Sequence, residues 1–145
     1  MERFFMPPDH RDPTQAAAWL RRARSNLARA RTGRSTPEVL YEDLCFDAQQ
    51  TAEKAIKAIL VHRQIQFPKT HDIIGLLTLV QKSEIAVPEA IQQADLLTGY
   101  AVETRYPGMS EEVSKEDYLE AVELAERVFH WAESLLSSSG KHPKS

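Results

Sequence analysis

Three short stretches of the sequence carry polar side chains whose spacing could support chemistry. The first places Gln49, Glu53 and Lys57 four residues apart, with Gln50 and Lys54 on the next ridge of the same segment. Positions four apart share one face of a helix, so the carboxylate, the amides and the ammonium groups would be neighbours. The simplest interpretation of this stretch alone is a row of ion pairs along one helix.

The second stretch contains His71, between Thr70 and Asp72. Histidine changes its charge close to neutral pH, and this side chain could therefore carry a proton during a reaction. Alternatively, His71 caps the short helix that follows or bonds a neighbouring carboxylate.

The third stretch ends in Arg105, followed by Tyr106 and a Pro-Gly pair. Arg105 could bind a phosphate through its fork of donors, or it could pair with Glu53 or Asp72 and hold the end of its helix. Tyr100 and Tyr106 could stack on a nucleotide, or they could pack against the protein with satisfied hydroxyl groups.

Set side by side, the three stretches resemble the HEPN family of small helical domains. The resemblance rests on their order. A small-residue helix carries Gln-Gln, Ala-Glu-Lys and a further Lys at residues 49–57, a Thr-His-Asp opens a helix at residues 70–72, and an Arg-Tyr-Pro closes a helix at residues 105–107. The resemblance covers the chain roughly from Asp12 to Leu136.

This resemblance implies a four- or five-helix bundle, a homodimer and, as in many members, a toxin whose antitoxin is a minimal nucleotidyltransferase. Some members of the family are metal-independent ribonucleases, whose motif is an arginine followed a few residues later by a histidine at the dimer interface. Arginine would stabilise the developing charge on the phosphate, and histidine would move the proton of the 2′-hydroxyl.

The sequence departs from that ribonuclease motif. Where a histidine would follow Arg105 stand Ser110, Glu111 and Glu112, and the literal match of Arg3 with His10 precedes the first helix and is interpreted as chance. The candidate catalytic residues are therefore Arg105 and His71. The candidate substrate-binding residues are Lys54, Lys57, Glu53, Tyr106 and Tyr100.

The elements that would position these residues are all helical. Ala and Leu number 31 against 15 for Val and Ile, and apolar residues recur at helical spacing between Pro, Gly and Ser/Thr breaks. We predict an up-and-down four-helix bundle with an additional short helix. The predicted spans are Asp12 to Gly33, Thr36 to Gln64, Ile73 to Gln81, Pro88 to Arg105 or Tyr106, and Ser114 to Leu136, the last opened by a capping box with Asp117.

One domain accounts for the chain. Its 145 residues are expected to form a flexible N-terminus at 1–11, the helical domain at 12–136 and a disordered tail at 137–145. The single cysteine cannot form an intramolecular disulfide, no histidines have metal-ligand spacing, and no apolar run is long enough to cross a membrane. We expect a cytoplasmic protein that needs no metal or cofactor.

Charge is divided between the two ends of the chain. Residues 11–34 contain seven arginines and one acid, whereas residues 110–136 contain eight acids and two bases. The basic segment is either a stripe that follows RNA phosphates or a solvated face attracted to the acidic last helix. The net charge of −3 argues against a general polyanion binder with a wholly positive surface.

Two functional hypotheses follow. The first is a HEPN-type toxin–antitoxin component that acts on or binds RNA or a nucleotide together with a minimal nucleotidyltransferase. The alternative is a non-catalytic module that binds a nucleotide or docks the partner. In either case we expect a homodimer, because the predicted second helix carries apolar side chains among its polar ones. The candidate interface residues are Phe46, Gln49, Gln50 and Leu60.

Overall fold

The computed structural model describes residues 13–101 and 112–141, and all regular structure in those ranges is helical. It contains five α-helices and one 3-10 helix, which confirms the predicted all-α bundle. The bounds are α1 Pro13–Ala30, α2 Tyr41–His62, α3 Ile73–Lys82, α4 Glu89–Gln92, the 3-10 helix Gln93–Tyr100 and α5 Lys115–Lys141.

Helix α2 is the centre of the bundle. It contacts α1, α3, α5 and the 3-10 helix, and 15 of its 22 residues are buried. Because neighbours cover it on several sides, polar residues on its outer arc, such as Gln49 and Glu53, are buried together with the apolar ones. Fully buried apolar side chains fill the space between the helices; the largest are Leu27, Ile56, Ile59, Leu60, Val61, Ile73, Leu76, Leu77, Val80, Leu97 and Val128.

Contacts between the long helices fix their relative directions. Trp19 lies near Lys57, whereas Asn26, later in α1, bonds Asp47, earlier in α2, and α1 and α2 are therefore antiparallel. The rings of Tyr41 and Tyr118, each near the start of its helix, stack with centroids 5.1 Å apart. Helices α2 and α5 consequently run in the same direction.

The start of α2 differs from the prediction. The Thr36 hydroxyl accepts the backbone N–H of Glu38 at 3.2 Å and forms a local turn, and the helix begins at Tyr41 after an extended Leu40. The side chain of Arg34 stabilises this turn by donating to the carbonyls of Val39 and Pro37. The hydroxyl of Thr36 is thus used in a turn rather than as the cap of a helix.

The end of α2 is two residues earlier than predicted. Gln64 has a left-handed φ of 63°, and its N–H donates to the Val61 carbonyl while that of Ile65 donates to the Leu60 carbonyl. These two bonds form a Schellman motif, which usually employs glycine at the left-handed position. Helix α1 likewise ends at Ala30, three residues before Gly33, which has φ 69°.

The predicted fourth helix is the largest correction. Only Glu89–Gln92 is α-helical, and the chain continues as a 3-10 helix that ends at Tyr100, where Ala101 is extended. Gly99 weakens a regular helix there, and the Thr98 hydroxyl accepts the backbone N–H of Ile73 at 3.2 Å, tying this segment to α3. The predicted end at Arg105 or Tyr106 lies outside the described residues.

Helix α5 begins as predicted. The Ser114 N–H donates to a carboxylate oxygen of Asp117 at 3.1 Å, and the Asp117 N–H donates to the Ser114 hydroxyl at 3.0 Å. This reciprocal pair is the predicted capping box. The helix continues to Lys141 rather than ending near Leu136, since no proline or glycine interrupts residues 137–139.

Candidate functional site

A buried carboxylate, Glu53, is the centre of the site. Its Oε2 accepts a hydrogen bond from Lys57 Nζ at 2.8 Å, and its Oε1 lies 2.8 Å from His71 Nδ1. Gln49 Nε2 donates to Oε1 at 3.0 Å and Gln50 Nε2 at 3.3 Å. The side chain of Glu53 is only 5% exposed, whereas that of His71 is 42% exposed. The first two predicted stretches therefore meet at one carboxylate.

Local structure brings His71 to α2. The loop after α2 ends in a turn in which the Thr70 hydroxyl accepts the backbone N–H of Asp72 at 3.1 Å. Gln49 Nε2 also reaches the carbonyl of His71 at 3.3 Å, so one amide from α2 holds both the backbone of His71 and the carboxylate that its ring contacts. Helix α2 consequently holds His71 at two points, its backbone carbonyl and its ring.

The environment of Glu53 keeps it ionised. Burial alone would raise its pKa, but hydrogen bonds from Lys57, His71 and Gln49, together with the charge of Lys57, lower the pKa below its ordinary value. An ionised carboxylate only accepts hydrogen bonds, so the proton at this contact must reside on His71 Nδ1. In the neutral ring Nε2 then carries a lone pair and can accept a proton.

Lys54 faces a second polar network, between α1 and α2. Its Nζ donates to Asn26 Oδ1 at 2.9 Å, and Asn26 Nδ2 donates to Asp47 Oδ1 at 3.0 Å. Burial lowers the pKa of Lys54, and the charges of Arg22 and Arg29 lower it further against the opposing effect of nearby carboxylates. Lys54 therefore lies among charges of both signs, and of these Glu53 acts on its pKa more strongly than either arginine.

An open cavity of about 520 Å³ lies beside these groups. Its lining residues are Gln15, Ala18, Trp19, Arg22, Glu53, Lys54 and Lys57. Lys57 Nζ lies 5.6 Å from the ring centroids of both Trp19 and Phe67, which meet edge to face at 6.2 Å. The ammonium that pairs with Glu53 is thus also held by two aromatic rings.

Sequence reasoning does not assign Trp19, Arg22, Asn26 or Asp47 to the site. The helical periodicity of the first helix puts Trp19 on its apolar face and Arg22 on its solvated face. The hydrogen bond between Asn26 and Asp47 joins residues 21 positions apart on two helices, so no local spacing signals it. The contribution of all four residues depends on how α1 is rotated against α2.

The third predicted stretch is only partly described. Tyr100 is half-buried and packs against the core, and burial, followed by the proximity of Cys45, raises its pKa to about 12. That environment favours the packing interpretation of Tyr100. Arg105 and Tyr106 lie outside the described residues.

The four candidate interface residues differ in exposure. Gln49 and Leu60 are fully buried by the chain itself, whereas Phe46 and Gln50 are half-buried. Of these four residues, only Phe46 and Gln50 leave side-chain surface that a second copy could contact.

Metal-ligating side chains are scattered rather than grouped. Over the described residues, no three His, Cys, Asp or Glu side chains lie together so as to hold a metal ion. Within the same ranges, no helix is both long and apolar enough to cross a membrane.

Known proteins resemble this chain in sequence and in fold. The model of the HEPN domain matches residues 16–135. The crystal structure of TT1696 from Thermus thermophilus shares 31% identity at a TM-score of 0.70, covering 83% of this chain and 97% of that one. ST0689, an archaeal HEPN homologue, shares 28% identity at a TM-score of 0.67 with the same coverage. No curated protein sequence matches significantly.

Proposed function

The chain belongs to the HEPN domain family, and on that premise we propose that it is a toxin–antitoxin component that acts on RNA through Glu53 and His71. The observation that supports this proposal is the 2.8 Å contact between His71 Nδ1 and a buried, ionised Glu53. A histidine held in this way has an Nε2 suited to accept a proton.

In the proposed reaction, His71 Nε2 removes the proton of an RNA 2′-hydroxyl. The 2′-oxygen forms a bond to the adjacent phosphorus, the bond from phosphorus to the 5′-oxygen breaks, and the departing 5′-oxygen takes its proton from the His71 imidazolium, which returns to the neutral ring. The products are a 2′,3′-cyclic phosphate and a 5′-hydroxyl. Glu53 stabilises the imidazolium that forms in between, and Arg105 is proposed to stabilise the charge that develops on the phosphate.

The first experiment is incubation of the purified protein with total RNA and transfer RNA in the presence of a chelator. We expect cleavage by the wild type that leaves 2′,3′-cyclic phosphate ends, and its loss in His71→Gln and Arg105→Ala. His130→Gln is the matched control, because His130 also lies near a glutamate, 3.7 Å from Glu133, but on the surface of α5. Absence of cleavage by folded wild-type protein would overturn this proposal.

A non-catalytic role is the second candidate, and the sequence after Arg105 favours it. Ser110, Glu111 and Glu112 replace the histidine of the family's ribonuclease motif, and the two acids would repel a phosphate. In this case the chain binds a nucleotide or docks a minimal nucleotidyltransferase. Co-purification with a nucleotidyltransferase encoded beside it, without RNA cleavage by either protein, would support this candidate over the first.

A further inference from the structure

The cavity between α1 and α2 has a charge that the proton-transfer centre does not require. Three cations, Arg22, Lys54 and Lys57, line it against one carboxylate, Glu53, which gives a net charge of +2. Its volume of about 520 Å³ is within the range of about 300–1,000 Å³ that is typical of sites for small organic groups. An anion of that size would be attracted to it.

The three cations differ in how far they are already neutralised. Lys57 is paired with Glu53 at 2.8 Å, whereas Lys54 donates to the neutral amide of Asn26. Arg22 is exposed, and across residues 13–101 and 112–141 its side chain makes no hydrogen bond or ion pair. Arg22 and Lys54 are therefore the cations that can bind a further anion.

The cavity shares two side chains with the proposed reaction centre, although His71 itself does not line it. Glu53 and Lys57 line it, and the same Glu53 carboxylate contacts His71. The indole of Trp19 adds an aromatic wall beside the cations, and the Gln15 side chain adds an amide. A cationic groove with an aromatic side chain is the usual combination in sites that bind single-stranded nucleic acid.

We propose that this cavity is a subsite for the phosphate of a nucleotide unit next to the one that reacts, with Arg22 and Lys54 as its ligands and Trp19 beside the nucleoside. The proposal rests on the proposed function in one respect, namely that the occupant is a segment of the RNA that reaches His71. Arg22 contributes to binding in this subsite and takes no part in the proton transfer.

The experiment uses a short fluorescent 2′-O-methyl RNA, which cannot be cleaved because its nucleophile is blocked. Fluorescence anisotropy gives the affinity of the wild type, Arg22→Ala and Arg21→Ala. Arg21 is the matched control, since it is an exposed arginine one position away on α1 that does not line the cavity. Both substitutions remove the same charge from the same helix.

We expect Arg22→Ala to weaken binding roughly tenfold or more at low salt, as befits loss of a charge-assisted hydrogen bond. Loss of one phosphate contact to a single strand should also reduce the slope of log affinity against log salt by about 0.7. Arg21→Ala should leave both quantities close to the wild type. Equal effects of the two substitutions would overturn the subsite.

Adenosine monophosphate in a parallel titration distinguishes the two sources of the phosphate. Arg22-dependent binding of the RNA that exceeds that of the mononucleotide assigns the subsite to RNA. Arg22-dependent binding of the mononucleotide alone assigns the same phosphate site to a free nucleotide and removes the link to RNA.

The result of the binding experiment can be interpreted independently of the cleavage experiment. Arg22-dependent RNA binding without any cleavage would leave the subsite standing and contradict the proposed reaction. Cleavage that requires His71, with equal binding by the Arg22 and Arg21 variants, would leave the reaction standing and remove the subsite.

Discussion

Glu53 is a largely buried negative charge that the fold surrounds with hydrogen-bond donors. Lys57 and His71 contact its two oxygens, and Gln49 and Gln50 complete the set. Such a buried ion pair is costly to form but even more costly to break from one side, because the remaining charge has no partner. The centre is therefore coupled to the stability of the bundle.

Replacing Glu53 by Gln should destabilise the protein by about 3–5 kcal/mol at neutral pH, because it leaves the buried Lys57 ammonium without its counter-charge. Urea unfolding monitored by circular dichroism measures the difference. The exposed Glu120 of α5 provides the control, and Glu120→Gln should change the stability by less than about 0.5 kcal/mol. Equal stability of the two variants would contradict the buried pair.

The same variant should also alter the pH dependence of stability. The pKa of Glu53 is lower in the folded chain than its ordinary value, so the contribution of this group is present above about pH 4.5 and is lost as the pH falls through its folded pKa. The difference in free energy of unfolding between wild type and Glu53→Gln should therefore shrink on acidification below about pH 4.5. A difference that grows in that range would contradict this sign.

Tyr118 offers a second test at the residue scale. Its hydroxyl donates to the carbonyl of Ala30 at 2.6 Å, which joins the start of α5 to the end of α1, and its ring stacks on Tyr41. Tyr118→Phe keeps the ring and removes the bond, so we expect a loss of about 1 kcal/mol in urea unfolding. Tyr41→Phe should have a smaller effect, since among the described residues its hydroxyl makes no hydrogen bond.

Some of these residue contacts could be predicted from the sequence and others could not. The row Gln49, Glu53 and Lys57 follows from helical spacing, and its hydrogen bonds are those of neighbours four apart. A bond from His71 to a neighbouring carboxylate was one of the alternatives left open, but the sequence did not indicate that this carboxylate is Glu53. The link from Lys54 to Asn26 depends on the packing of α1 against α2, and local spacing carries no information about it.

At the scale of elements, the basic first helix and the acidic last helix are partners. Arg24 pairs with Glu133 at 2.8 Å and Arg31 with Glu126 at 2.7 Å, as expected from the second of the two alternatives for the basic segment, a face attracted to the acidic last helix. All four side chains are at least one-third exposed, so water and salt screen the pairs. They orient α1 against α5 more than they stabilise the fold.

A double-mutant cycle on Arg24→Ala and Glu133→Ala measures this contribution. We expect a coupling energy of about 0.2–1 kcal/mol at low salt that falls towards zero in about 1 M salt. Because Arg24 also lies 5.2 Å from the ring of Phe129, the single Arg24→Ala loss should exceed the coupling energy. A coupling energy that stays unchanged in high salt would contradict the conclusion that solvent and salt screen this ion pair.

The ends of elements show where sequence signals are sufficient. The capping box of Ser114 and Asp117 was predicted because two residues three apart satisfy each other's backbone donors. The end of α2 was less predictable, because a glutamine rather than a glycine occupies the left-handed position at residue 64. The helix predicted after Pro88 was correct over Glu89–Gln92 and wrong beyond it, where the chain is a 3-10 helix whose Thr98 bonds Ile73, a contact that local sequence does not signal.

At the scale of the whole molecule, homodimer formation remains a prediction from the sequence and the family resemblance. Phe46 and Gln50 of α2 retain surface that a second copy could contact, whereas Leu60 serves the core of its own chain. Light scattering at micromolar concentration should give twice the chain mass of 16.4 kDa. A particle of a single chain mass at that concentration would contradict the predicted dimer.

The all-α architecture followed from composition and periodicity, because these depend on properties summed over long segments. Fifteen buried residues on α2, including Glu53 and Lys57, were harder to foresee, since a helix covered on several sides has no simple polar face. The same burial converts a row of surface ion pairs into a centre that orients His71. The proposed chemistry thus depends on the packing of the whole bundle.

Proton transfer by His71 requires that its Nδ1–H donate a hydrogen bond to Glu53, and nitrogen-15 NMR of the imidazole tests this requirement directly. Spectra of the folded protein at a pH where His71 is neutral should show a hydrogen on Nδ1 and a lone pair on Nε2, as an ionised Glu53 at 2.8 Å demands. The imidazole signals that are absent from the spectrum of His71→Gln are those of His71. A neutral ring of His71 that carries its hydrogen on Nε2 would contradict the proposed role of this residue.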